Sequence, residues 1–288
     1  MNTATTSVVH VGEITDALLM KYATLVYDRT GIRISPQKKT LLSNRLKRRL
    51  KGTGIESFER YFDHLRKLKP DDAEWDFFLQ EITTHETYMF RDEAQWEWFR
   101  NVFLAERIAE ARRGGPSSLR IWSAASSTGD EAMTIASCIA ATLPNLSAWT
   151  VRIVGTDIGI GAIEQAKAAV FGERAMKLVP EDYQRRYFTK AAAGNIWQAK
   201  PILTDMVNFK QHNLMETLRE QKFDLVFLKN VLIYFDAASK GIVLKHIRDA
   251  IAPGGLLVAG AAEGVSELLK DFERVQPWLF RRPMTSKG

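Results

Sequence analysis

LRIWSAASSTGDEA, residues 119–132, compresses a strand, a turn and a helix start into fourteen residues. Leu119 to Ala124 is a short run rich in apolar residues, of strand length. Ala125, Ser126, Ser127, Thr128 and Gly129 are all small, and Asp130 and Glu131 open a helical stretch that continues to about residue 143. A strand that turns directly into a helix is the repeating unit of a parallel sheet. Three more runs of the same kind follow: VRIVGTD (151–157), FDLVFLKN (223–230) and GLLVAG (255–260), with helical patterns such as IGAIEQAKAAVF (160–171) between them. The alternation predicts a doubly wound parallel sheet. FERVQPWLFRR (272–282) reads as two short strands around Gln276-Pro277, an antiparallel hairpin closing that sheet. One stretch breaks the rhythm. Between Tyr187 and Phe209, a Gly194-Asn195 turn flanked by IWQA and PILTDMVNF predicts a small inserted β element.

Upstream of residue 119 the periodicity is helical. Thr15 precedes apolar positions Leu18, Leu19, Tyr22, Leu25 and Val26 at 3.6-type spacing, with Gly31 as a stop. Ser35-Pro36 resembles an N-cap and first-turn proline. The following helix, about 36–51, aligns Leu42, Leu46 and Leu50 and ends at Gly52 and Gly54. Phe58, Tyr61, Phe62 and Leu65 start another apolar face, and Lys69-Pro70-Asp71-Asp72 turns into a helix through Trp75, Phe78, Leu79 and Ile82.

A chain of 288 residues with 45% hydrophobic and 26% charged residues is globular and of about two-domain length. No apolar run approaches the ~20 residues of a membrane span, and the N-terminus lacks the layout of a signal peptide. With Cys138 as the sole cysteine, an internal disulfide and a multi-cysteine zinc site are excluded, and no metal is expected. A cytoplasmic protein is the simplest expectation. The net charge of +6 is unevenly placed. Residues 1–70 carry 14 Lys and Arg against 6 Asp and Glu, whereas the rest carry 26 against 28. Lys38, Lys39, Arg45, Lys47, Arg48, Arg49 and Lys51 crowd one helix that has no acidic residue.

The chemistry is expected where the strands end. The turn after residue 124 suits close approach of a ligand to the backbone at the switch region of a sheet. A G-x-G-x-x-G fingerprint is absent, and Asp130 and Glu131 at the helix start disfavour a pyrophosphate there. Their alternative role is to complement the helix dipole. Asp157 ends the next strand, where an acidic residue commonly accepts hydrogen bonds from ribose hydroxyls; its alternative role is an N-cap. Together these features fit S-adenosylmethionine, which has a ribose and a sulfonium but no phosphate, better than a dinucleotide.

TTHETYMFRD (83–92), WSAASSTGDEA (122–132), GTDIGIGAIEQAK (155–167), HNL (212–214), FDLVFLKNVLIYFD (223–236) and IAPGGLLVAGAAE (251–263), in this order, resemble the chemotaxis receptor methyltransferase (CheR) family. The resemblance covers nearly the whole chain. It implies an N-terminal all-helical domain, then a seven-stranded class I methyltransferase sheet with a small antiparallel β insertion. The implied boundaries are a flexible tail (1–12), a helical substrate-docking domain (13–82), a linker and connecting helix (83–118), and the S-adenosylmethionine-binding domain (119–284) with its β subdomain near 187–209. The implied activity is methyl transfer to glutamate side chains of bacterial chemoreceptor cytoplasmic helices, forming glutamyl methyl esters and S-adenosylhomocysteine, a signal-transduction step in adaptation.

By position, the resemblance assigns cofactor contacts to His85, Thr87, Arg91, Glu131, Asp157, Asn213, Leu214, Lys229 and Asn230. Arg91 and Tyr234 fall beside the reacting methyl group. Of three readings of the basic helix around Arg45, Arg48 and Arg49 (a solvated face, nucleic-acid binding, receptor docking) the resemblance favours docking. Four positions depart from the family pattern: His85 replaces an asparagine, Ala132 a proline, Lys229 an arginine, and Gly260-Ala261-Ala262-Glu263 a G-H-S-E. In some members the β subdomain grips a receptor C-terminal peptide; the compact turn AAAGNI (191–196) leaves that partner open. A carboxylate acceptor, ionised at neutral pH with an unperturbed pKa near ~4.3, needs no general base. Two other readings stay in view: a non-catalytic cofactor-binding adaptor and a nucleic-acid methyltransferase. Against the latter, Lys229-Asn230-Val231-Leu232 lacks an N-P-P-Y type motif, and Cys138 lies inside a helical pattern.

Overall fold

The structure is a computed structural model, and it describes residues 12–192, 194–260, 263–265 and 267–284. The chain divides into two compact units between Thr84 and His85. The first is all-helical: α1 (Asp16–Thr30), α2 (Lys39–Thr53), α3 (Phe58–Lys67) and α4 (Ala73–Ile82). Side-chain caps start three of them, Thr15 accepting from Leu18 N, Ser57 from Arg60 N and Asp72 from Glu74 N. Pro36 opens a 3₁₀ turn (Pro36–Lys38) leading into α2. Gly54, in the left-handed region at φ 72°, closes α2, while Gly52 lies inside it. Tyr22, Leu46, Tyr61, Leu65 and Phe78 are fully buried at the centre. The Tyr22 hydroxyl donates to Phe58 O at 2.7 Å, so this aromatic core leaves that polar tip satisfied.

One predicted docking residue belongs to this interior. Arg49 forms a two-pronged pair with Glu74, Nε to Oε1 and Nη2 to Oε2 both at 2.7 Å, and the Tyr61 hydroxyl donates to the same carboxylate at 2.6 Å. The Arg49 and Glu74 side chains are only 17% and 12% exposed. Arg49 is therefore a brace between α2 and α4 rather than a docking group, because its guanidinium is already matched to a shielded carboxylate. Arg49→Ala strands Glu74, and removing one partner of a shielded pair costs about 3 kcal/mol. Thermal unfolding should show a clear fall in Tm with cofactor affinity unchanged.

The second unit begins with a helix interrupted by a π segment: α5 (Glu93–Trp98), the π turn Phe99–Phe103 and α6 (Leu104–Arg112). Then come β1 (Ser118–Ala124), α7 (Asp130–Thr142), β2 (Thr150–Asp157), α8 (Ile160–Ala168), β3 (Val170–Gly172), α9 (Glu173–Met176), α10 (Glu181–Tyr187), β4 (Phe188–Lys190), β5 (Ile196–Ala199) and α11 (Pro201–Thr204). β6 (Val207–Gln211), β7 (Phe223–Leu228), α12 (Ala237–Ala250), β8 (Ile251–Ala259), β9 (Glu273–Gln276) and β10 (Leu279–Arg281) complete it. Seven strands form one sheet in the order β6-β2-β1-β7-β8-β10-β9. Its first five strands are parallel, and the predicted hairpin closes one edge antiparallel, with β10 between β8 and β9. Both faces are covered, which explains continuous apolar runs such as the fully buried Leu225 to Leu228.

Two boundaries differ from expectation. Residues 85–118 are not a linker: Met89, Phe90, Trp96, Phe99, Phe103 and Leu104 share one buried core with the sheet, and Trp96 stacks on Phe227 of β7 at 5.2 Å. The aromatic content of that stretch drives it onto the sheet. The small sheet, ordered β3-β5-β4, draws its first strand from Val170–Gly172, ahead of the expected 187–209. Residues 207–209 instead pair with β2 at the edge of the main sheet, and Pro201–Thr204 is helical. A three-residue strand carries no readable alternation, and alternation alone does not tell which sheet a strand joins. The predicted tail, residues 1–12, lies outside the described residues except for Gly12.

Candidate active site

The parallel strands β6, β2, β1 and β7 end at one edge, with Ala124 opposite Thr156 and Leu228, and Asp157 opposite Gln211. The connections reverse direction between β1 and β7, and open α/β sheets bind ligands at that crevice. Most of the positions singled out in this unit lie on the loops leaving this edge.

The loop from β1 to α7 is built on alternating left-handed residues, Ala125 (φ 57°), Ser127 (φ 51°) and Gly129 (φ 90°). Such a winding turns successive amides toward an anion. The anion is Asp157. Its Oδ2 accepts from Ser127 N and its Oδ1 from Gly159 N, both at 2.9 Å, with His85 Nδ1 at 3.4 Å from Oδ1. Asp157 is thus both a turn-closing group ahead of α8 and a buried carboxylate at the crevice. An ionised carboxylate has about four acceptor directions, so a hydroxyl can still be received. Gly129 serves packing rather than ligand approach, since a Cβ there would sit 2.9 Å from the Phe209 ring. Gly155 is tighter still, at 2.4 Å from the same ring. His212 N donates to Asp157 O at 2.8 Å, which fastens the next loop to the same point. There Asn213 Oδ1 accepts from Met215 N at 3.1 Å and Leu214 is buried.

A second cluster surrounds Lys229, the residue standing where the family pattern has arginine. Its side chain is 3% exposed, and Nζ lies 3.1 Å from Asp92 Oδ2, 3.2 Å from Arg91 O and 3.8 Å from Glu131 Oε2. Its ammonium also faces the Trp96 ring at 5.0 Å. A compact charge with three donors satisfies the first two oxygens and approaches the third without a planar fork. Glu131 also accepts from Ser123 Oγ at 2.7 Å. Burial pushes its carboxyl above the usual range, against the pull of Lys229 and Ser123. Asp130, one residue earlier, is buried and receives Thr128 Oγ1 at 2.6 Å; it stabilises the helix start. Ala132, at the proline position, is fully buried in the first turn of α7.

Arg91 is flanked by two left-handed residues, Phe90 (φ 57°) and Asp92 (φ 66°). That strain is held by Thr134 Oγ1 receiving Phe90 N at 3.2 Å and by Trp96 Nε1 donating to Arg91 O at 2.6 Å. The guanidinium lies 5.7 Å from the Tyr88 ring centre and forms no ion pair among the described residues. Thr87 and His85 line a cavity of about 480 Å³ with Thr128, Asp130, Phe171 and Arg174. Asn230, left-handed at φ 58°, leads from β7 into the 3₁₀ turn Leu232–Tyr234, which ends in the half-buried Tyr234.

Direct contacts therefore join His85 with Asp157, and Arg91 with Glu131 through Lys229. Arg45, Arg48 and Arg49 lie in the helical unit. Ala261 and Ala262 fall outside the described residues. The sequence carries no signal for Asp92, Ser123 and Trp96, and marks Ser127 only as a small turn residue. Only their contacts across the fold, 137 residues apart for Asp92 and Lys229, reveal them.

Residues 85–279 match the family described as CheR methyltransferase, SAM binding domain, and residues 19–83 its all-alpha domain. The chain belongs to the CheR methyltransferase family. It is 31% identical over 263 residues to the chemotaxis protein methyltransferase of Salmonella typhimurium, covering 90% of this chain and 88% of that one. The chemotaxis protein methyltransferase 1 of Pseudomonas aeruginosa is 34% identical over 253 residues, covering 85% and 89%. The Escherichia coli chemotaxis protein methyltransferase is 30% identical over 264 residues, covering 90% and 88%. This CheR-family protein is accordingly an S-adenosylmethionine-dependent methyltransferase of chemotaxis. The site fits that cofactor: the buried carboxylate of Asp157 and the partly buried one of Glu131 suit hydroxyls and positive charge, and Ser126 Oγ, on the loop after β1, is a buried hydroxyl with no hydrogen-bond partner among the described residues. No described helix is long and apolar enough to cross a membrane.

Proposed function

We propose that the protein methylates glutamate side chains on the cytoplasmic helices of chemoreceptors, forming glutamyl methyl esters. The observation that carries this reading is the Arg91 guanidinium, held at the strand-end crevice with no carboxylate paired to it among the described residues. An incoming glutamate supplies that partner. When bound, S-adenosylmethionine supplies an electrophilic methyl group and departs as S-adenosylhomocysteine. Asp157 receives ribose hydroxyls, Glu131 and Lys229 fix the charge balance beside them, and His85, Thr87, Asn213, Leu214 and Asn230 complete the pocket. Arg91 neutralises and aims the acceptor carboxylate, while Tyr234 walls the reacting centre from water. Positioning and exclusion of water account for the rate, because the acceptor is already ionised.

The test is incubation of the protein with radiolabelled cofactor and receptor-containing membranes. Base-labile label released as methanol is the expected result; label that survives base, or that resides on nucleic acid, overturns the reading. A receptor C-terminal peptide is a further proposed partner of the small sheet, whose edge strands β3 and β4 offer a strand-addition site. Titration with such peptides checks it.

Docking on α2 is proposed through Lys47, Arg48 and Lys51. Arg45 is turned inward, donating to Ile82 O, Thr83 O and Thr84 Oγ1. Arg48 remains 60% exposed beside Glu81. Acidic receptor helices complement such a face mainly through encounter rate and register. Lys47→Glu with Lys51→Glu should raise KM for receptor about tenfold at low salt, an effect that shrinks as salt screens it. Cofactor affinity should stay constant.

A further inference from the structure

The loop carrying Asn230 and Tyr234 turns through a left-handed Asn230, and the structure shows what holds it. Glu263 is fully buried, 0% exposed, beneath that loop. Its Oε1 accepts from Val231 N at 3.1 Å, and the amides of Asn230, Leu232 and Ile233 also favour its charged form. Oε2 has no hydrogen-bond partner among the described residues. From α12, Lys240 Nζ donates to Glu263 O at 2.7 Å and pins the residue's own backbone. Gly260 makes room for the arrangement, because a Cβ there would fall 2.9 Å from Oε1 and 3.2 Å from Asn230 N. Burial pushes the Glu263 carboxyl above its usual range, against the pull of the four amides. An acid raised in this way is charged at a cost to the fold, since protonation is easier folded than unfolded. A buried group retained at such a cost, next to a left-handed asparagine, marks a functional constraint.

We propose that Glu263 is a positioning residue for methyl transfer. Its carboxylate gathers the amides of residues 230–233 and thereby fixes Asn230 and Tyr234 in their presenting conformation. The proposal rests on the reading that places those two residues beside the reacting methyl group. Glu263 itself touches neither substrate nor cofactor in this role.

Two substitutions of similar volume separate this role from packing. Glu263→Gln keeps one acceptor for Val231 N, whereas Glu263→Met fills the space and accepts nothing. Glu263→Met leaves Val231 N without its acceptor, at a cost in stability, so Tm should fall modestly and kcat is compared well below it. Loss of the amide clamp should lower kcat about 10–100-fold in Glu263→Met, the scale of a ~1 Å misplacement. Glu263→Gln should stay within about threefold of wild type, and cofactor Kd should weaken by no more than about threefold even in Glu263→Met, because Asn230 is one contact among many in the cofactor pocket. Gly260→Ala, which wedges a methyl between the carboxylate and Asn230 N, should repeat the kcat loss and covers the case that Glu263→Met does not fold. Equal kcat in the Gln and Met variants overturns the proposal, and so does a Kd that weakens in step with kcat. Asn230→Ala and Tyr234→Phe are measured in parallel. Wild-type kcat in both sinks the site reading together with the proposal, whereas losses there with wild-type kcat in Glu263→Met sink the proposal alone.

Discussion

Arg91→Ala should lower kcat for receptor methylation about 10²–10³-fold, the cost of removing one preorganised charged donor from a reacting centre. The expectation follows from how Arg91 is held. Its backbone carbonyl receives both Lys229 Nζ and Trp96 Nε1, and left-handed neighbours on either side force the chain through a sharp turn. The side chain, by contrast, faces the Tyr88 ring, is felt by Glu86 and Glu131 only at longer range, and forms no ion pair among the described residues. With the backbone rigid, receiving a carboxylate costs only the ordering of the guanidinium arm itself, about 0.5–1.5 kcal/mol. Arg91→Lys keeps the charge and loses the fork, so it should recover part of the rate, to within about tenfold of wild type. Cofactor Kd should change only a few-fold in either variant. Initial-rate kinetics with receptor membranes, alongside calorimetric titration of cofactor, check both statements. An Arg91→Ala protein that methylates at the wild-type rate removes Arg91 from the mechanism.

How much of this was readable from residues alone depends on whether a signal is local. The strand-turn-helix unit at 119–132 announces itself because strand, turn and cap occupy consecutive positions, and the sheet followed from repeating it. Asp157 was legible for the same reason: it ends a strand. The partners of these residues were not. Asp92 acts on Lys229 across 137 residues, and Glu263 on Val231 across 32, distances at which no spacing rule operates. The resemblance implied a linker and connecting helix over 83–118, yet Trp96 and Phe99 bury that segment against β7. The charge run on α2 misled at Arg49 because a list of charges does not say which face each occupies; Glu74, 25 residues on, had already claimed that guanidinium. The resemblance to a family supplied roles for positions whose geometry is invisible in one chain. It could not supply the consequence of a departure such as Lys229, where the question is whether a compact ammonium satisfies its three oxygens, and the distances show that it does so for two and approaches the third.

Asp157→Ala should weaken cofactor binding about 100-fold and lower Tm as well, since this one carboxylate does two jobs. Its oxygens accept from Ser127 N and Gly159 N, amides on the loops after β1 and β2, and a buried donor left without a partner costs ~1–3 kcal/mol. Loss of the acceptor also frees the loop whose left-handed residues were wound to face it. A charged hydrogen bond to a ribose hydroxyl, worth ~1.5–3 kcal/mol, disappears in the same variant; at ~1.4 kcal/mol per tenfold, that alone is roughly 10–100-fold in Kd. Asp157→Asn separates the two jobs. Its remaining oxygen can serve one amide, while its NH₂ confronts the other N–H, so it should bind cofactor nearly as poorly as Asp157→Ala but melt closer to wild type. Saturating cofactor raises Tm in proportion to the logarithm of its excess over Kd. That gain should therefore shrink in both variants under identical cofactor concentration. A Kd within twofold of wild type in Asp157→Ala would mean that the carboxylate is spent entirely on the backbone, and the ribose must then be held by another group at the crevice.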